Sequence, residues 1–67
     1  MGKIATRVDE YVGERIRARR TELGLTQEEL ANSLKISYQQ VQNYETGANR
    51  VSPGRLFEVA QRLQVDM

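Results

Sequence analysis

The chain has 67 residues, a formal net charge of +1, and neither Cys nor His. A length of this order allows one domain, here 1–67, in which folding buries only about 60% of the surface exposed by the unfolded chain, so the core must be one modest apolar cluster. The composition excludes a disulfide framework or thiolate metal site and removes the commonest general base, while the absence of a roughly 20-residue apolar run or an apolar leader after Met1 predicts a soluble cytoplasmic protein with no metal, cofactor or membrane partner.

Apolar residues at Val8, Val12, Ile16 and Leu23 predict a first helix. Either Thr6 or Asp9 caps its start, and Gly24 lies just past its end. Residues 1–12 form an N-terminal extension of this helix. Gly13 falls inside the pattern at a cost of about 1 kcal/mol relative to Ala. Basic charge is concentrated here: Arg15, Arg17, Arg19 and Arg20 are four of the ten basic residues. Such a run serves either as a solvated helix face or as a source of phosphate neutralisation.

The second helix has a sharp start. Thr26 followed by Glu29 is a capping box, in which each side chain satisfies a backbone N–H of the first turn. Glu28 and Glu29 also suit the positive end of the helix dipole. Leu30, Ala31 and Leu34 give the buried face. The third helix is predicted to repeat the device with Ser37 and Gln40, with Val41 and Tyr44 inward and Ile36 as a staple. Only Lys35, Ile36 and Ser37 separate the two helices, which suits a sharp crossing. A fourth helix starts at Ser52-Pro53, a cap followed by proline in the first turn. Leu56, Val59, Ala60 and Leu63 line one of its faces, and Phe57 lies to the side. No segment alternates like a strand. The expected fold is an all-α compact bundle of four helices.

Two charges fall on inward faces. At about 100° per residue, Arg20 sits between Ile16 and Leu23, and Glu45 sits beside Val41 and Tyr44. Buried charge is costly unless paired. Either the two pair across the core, or both reach solvent at their helix ends.

The outward face of the third helix carries Gln39, Asn43 and Thr46, with Gln42 beside them and Tyr38 at the start. Polar residues cover most exposed helix faces, so composition alone does not single this one out. Gln and Asn, however, make bidentate hydrogen bonds to adenine in the major groove. The segment from 26 to 45 holds one Lys and three Glu, so phosphate neutralisation must come mainly from elsewhere.

Residues 13–65, GERIRARRTELGLTQEELANSLKISYQQVQNYETGANRVSPGRLFEVAQRLQV, resemble the phage-repressor and Cro type of helix-turn-helix domain, the XRE family. The resemblance covers about four-fifths of the chain. The I-R-x-R-R segment, L-G-L-T-Q-E-E-L-A, the Tyr-Glu-x-Gly exit and a Pro-started helix all fall in register. It implies a lambda-repressor-like fold with the helix-turn-helix at 26–45, and no enzymatic activity. By the same resemblance, Tyr38, Gln39 and Asn43 occupy base-reading positions, with Gln42 against the groove. Gln27, Gln40, Asn49 and Arg50 occupy positions that meet the phosphate backbone, and Arg20 and Glu45 match an internal salt bridge. The implied partner is double-stranded DNA, a palindromic operator bound by a homodimer with half-sites about one helical turn apart. The implied role is transcriptional regulation, as a repressor.

Departures from the pattern carry expectations too. Lys35 stands where the family often has Gly, and a left-handed backbone there strains Lys. Family members commonly add a fifth helix at the dimer interface. Phe57, Leu63, Val65 and Met67 are therefore expected to form an apolar patch, open to a twin subunit, a further segment or another protein partner. Alternatively Ile4 and Val8 on the lengthened first helix cover it. The second functional expectation is a protein-interaction module, such as the antitoxin of a toxin–antitoxin pair.

Overall fold

A computed structural model describes residues 2–65, with side chains described from residue 7 onward. Its elements are four helices: α1 (Gly2–Glu22), α2 (Gln27–Leu34), α3 (Tyr38–Thr46) and α4 (Pro53–Leu63). The described residues contain no strand. Ile16 from α1, Leu30 and Ala31 from α2, Val41 and Tyr44 from α3, and Val59 and Leu63 from α4 form the core. Each helix thus contributes the apolar stripe that lets a short amphipathic segment hold its shape by packing.

The local start signals of the last three helices are realised. Thr26 and Glu29 form both hydrogen bonds of a capping box, at 3.0 and 2.8 Å. Ser52 accepts from the Arg55 backbone N–H, with Pro53 opening α4. At α3 only half of the expected device is present. Ser37 accepts from the Gln40 backbone N–H, but the Gln40 side chain makes no return bond among those described, so α3 has a single serine cap. Ile36 packs against the core beside this start.

The first helix differs from expectation. Thr6 and Asp9 both lie inside α1, which already runs from Gly2, so neither is its cap. Val8 is 56% exposed and Leu23 39% exposed, so the apolar spacing of α1 is buried only at Ile16 and, in part, Val12. Val8 therefore does not cover an apolar patch, and Ile4's side chain lies outside the described residues. Gly24 adopts φ +73° after the helix end, the left-handed geometry that glycine takes without a Cβ clash.

Gly13 has a positive purpose. A Cβ built there would come within 2.6 Å of the Glu45 carbonyl oxygen and closer still to that of Tyr44. Glycine lets α1 press against the C-terminal turn of α3, which outweighs its helix-propensity cost. Lys35 adopts the left-handed conformation (φ 58°, ψ 42°) as the C-cap of α2. The turn keeps the geometry that favours glycine while carrying a lysine.

The apolar patch differs from expectation in its members. Leu63 is fully buried and belongs to the core, whereas Val65, half-buried against that core, lines the same groove as Phe57. Phe57 is 64% exposed and, with Pro53, Leu56 and Ala60, lines an open groove of about 590 Å³ on α4. Met67 lies outside the described residues.

Candidate nucleic-acid interface

The site rests on a buried ion pair. Arg20 Nε donates to Glu45 Oε2 at 2.6 Å and Arg20 Nη2 to Glu45 Oε1 at 3.1 Å. The Glu45 side chain is 3% exposed and that of Arg20 12%. Arg20 Nη1 donates to the Leu25 carbonyl at 2.7 Å, and Gln27 Nε2 donates to Glu45 Oε1 at 2.9 Å. The two-pronged geometry suits a planar guanidinium and a carboxylate. One carboxylate thus ties the end of α1 and the start of α2 to α3, and no buried side-chain polar atom among the described residues lacks a partner.

Held on this pair, α3 turns Tyr38, Gln39, Gln42 and Asn43 along one side. Tyr38 and Gln39 are exposed, and Gln42 and Asn43 half-buried. Gln39 Nε2 donates to Asn43 Oδ1 at 3.2 Å, and Gln42 Nε2 donates to the Tyr38 hydroxyl at 2.8 Å. Both are i,i+4 contacts, which order long side chains along a helix. Each pair leaves hydrogen-bonding capacity unspent: the Gln39 carbonyl, the Asn43 amide N–H groups and the Tyr38 O–H. Mixed donors and acceptors of this kind are the groups that can hydrogen-bond base edges in a major groove.

The residues expected at phosphates are placed around this row with different freedoms. Gln27 is the first residue of α2, where backbone N–H groups favour an anion. Its side-chain amide is oriented by Glu45 rather than loose. Gln40 is half-buried on α3. Asn49 is fastened through its backbone N–H to the Asn43 carbonyl at 3.2 Å, leaving its side chain exposed. Arg50 reaches back to α1, with Nε 3.3 Å from Asp9 Oδ1, and remains 65% exposed. Asp9, expected as a possible cap, instead steers this loop arginine.

The arginine run of α1 divides by task. Arg19 donates to the Leu63 carbonyl and pairs with Glu22, and Arg20 belongs to the buried pair. Arg55 and Arg62 donate to the carbonyls of Leu34 and Ser33 at the end of α2. Arg19, Arg55 and Arg62 thus satisfy C-terminal carbonyls of helices. Arg17 is different: it is exposed and lines the same cleft as Gln27, Gln39, Asn43 and Thr46. Sequence reasoning grouped it with its neighbours. No helix of the described residues is long and apolar enough to cross a membrane.

A capped helix, a three-residue turn and a second helix bearing an exposed amide row define a helix-turn-helix domain. Residues 16–67 match the helix-turn-helix family, and the chain belongs to it, in its XRE-type branch. It is 52% identical over 58 residues to a protein of Rhodospirillum rubrum described as an uncharacterized transcriptional regulator in the ATPase CF(0) region, covering 87% of this chain and 54% of that protein. It is 53% identical to an uncharacterized HTH-type transcriptional regulator of Sinorhizobium medicae, covering 87% of this chain and 42% of that one. It is 43% identical over 53 residues to the HTH-type transcriptional regulator DicA of Escherichia coli, covering 79% of this chain and 39% of DicA. The chain spans about half the length, or less, of these curated relatives.

Proposed function

We propose that the protein is a sequence-specific, cytoplasmic and nucleoid-associated repressor that binds a palindromic operator as a homodimer. Tyr38, Gln39, Gln42 and Asn43 read base edges in the major groove. Gln27, Gln40, Asn49 and Arg50 hold the phosphate backbone and set the register. The observation that carries this reading is the exposed amide row on α3, prearranged by the Gln39–Asn43 and Tyr38–Gln42 hydrogen bonds. The names of the relatives, all transcriptional regulators, support it. Selection of bound sites from random DNA, with mass measured in solution, tests it. The expected result is a palindromic motif and a complex of two chains per site. Recovery of no motif at moderate salt refutes it.

A second reading is favoured by Phe57 and the apolar groove on α4: a protein-interaction module of the toxin–antitoxin type. A stable complex with a different protein, in place of DNA selectivity, would identify that role.

A further inference from the structure

The amide row has specificity chemistry but little positive charge, and the residues around it show which cation makes up the deficit. We infer that Arg17 of α1 is a phosphate-contacting residue of the DNA interface. The inference rests on the DNA-binding reading above and assigns a contact that this reading does not include.

Arg17 and Arg20 are the cations lining the cleft between α1, the start of α2 and α3. Arg20 is committed, with its guanidinium bonded to Glu45 and to the Leu25 carbonyl. Arg17 is exposed and enters no ion pair among the described residues. It lies four residues after Gly13, on the same face of α1. Gly13 is where α1 meets the carbonyl oxygens of Tyr44 and Glu45 at close range. That approach, open only to glycine, brings Arg17 beside Asn43 and Thr46 at the end of the reading helix. The same cleft includes Gln27, whose position at the first turn of α2 already favours an anion.

The other basic residues are less suited. Arg15 lines the far side of α1 with Ala18, Glu22 and Val65. Lys35 sits with Glu58, Gln61 and Arg62. Arg50, already counted among the phosphate contacts, is turned towards Asp9 and does not line this cleft. Among the described residues, Arg17 is therefore the exposed cation without an ion pair that lines the cleft beside the amide row, where a long guanidinium reaches an oxygen of the backbone strand next to the groove.

The test compares the protein with its Arg17→Ala, Arg17→Lys and Arg15→Ala variants. Affinity is measured by fluorescence anisotropy across a salt series, on the duplex selected by the unaltered protein and on an unrelated duplex of equal length. One lost phosphate contact lowers the salt slope by about 0.9, which corresponds to about an eightfold weaker affinity at 0.1 M salt. Arg17→Ala is expected to show both changes, equally on the two duplexes. Arg17→Lys keeps the slope, and Arg15→Ala behaves as the unaltered protein. An unchanged slope in Arg17→Ala overturns the inference while leaving the DNA-binding reading intact. A loss confined to the selected duplex also overturns it, by making Arg17 a base contact. A matching loss in Arg15→Ala overturns it by making the effect one of general charge. Absence of binding by the unaltered protein at low salt overturns both readings.

Discussion

Glu45→Ala probes the foundation of the site. The substitution removes a side chain that accepts three hydrogen bonds, two from Arg20 and one from Gln27. Arg20 keeps its bond to the Leu25 carbonyl but loses its counter-ion while its side chain is only 12% exposed. Removing one member of a buried ion pair costs about 3–5 kcal/mol, because the remaining charge stays desolvated without a partner. In a domain of this size each kcal/mol lowers the thermal midpoint by about 4–8 °C, so a fall of at least about 12 °C is expected. Urea denaturation monitored by helical circular dichroism measures the free energy directly. Glu45→Gln retains a carbonyl acceptor in the same place and should lose less. The double variant Arg20→Met/Glu45→Ala should lose less than the sum of the two single variants, since the penalty belongs to the orphaned charge. A loss under about 1 kcal/mol for Glu45→Ala would refute the reasoning, as it would equate this pair with a solvent-exposed one.

Three further outcomes are expected. Gln39→Ala should weaken binding to the selected site by about 1–3 kcal/mol, the worth of one bidentate base contact; an unchanged preferred motif in a repeat selection would show that Gln39 does not read bases. Gly13→Ala should destabilise the fold by about 1–3 kcal/mol through overpacking against the Tyr44 and Glu45 carbonyls, despite alanine's higher helix propensity. A denaturation midpoint that rises in this variant would contradict the close approach of α1 and α3. Lys35→Gly should stabilise the protein by up to about 1 kcal/mol, since glycine takes the left-handed conformation without a Cβ clash; a lower midpoint would locate a stabilising contact in the lysine side chain.

What the sequence determines by itself is what depends on neighbours along the chain. Thr26 with Glu29, Ser37 and Ser52-Pro53 mark helix starts because a cap involves residues three apart. The inward stripes of α2, α3 and α4 follow from the 3.6-residue period. That period also brought Arg20 and Glu45 into question together, since two costly charges on facing stripes have one economical arrangement. The amide row on α3 was legible as the complement of its buried face.

Where the helices cross is decided only by the tertiary structure. Gly13 looked like a defect until α3's carbonyl oxygens were seen against it; a glycine inside an apolar stripe was the signal that could have found it. Asp9 looked like a cap because no sequence signal shows that α1 continues to Gly2 and that Arg50 reaches it. Val8 shared the apolar spacing of α1 yet has no helix to bury it. Arg17 and Arg19 are two residues apart, but two positions on a helix turn the side chain to another face. One therefore meets the carbonyl of Leu63, and the other lines the cleft beside Asn43. The period shows which face of a helix turns inward, but not which helix meets it or where along its length, because those contacts join residues far apart in the chain.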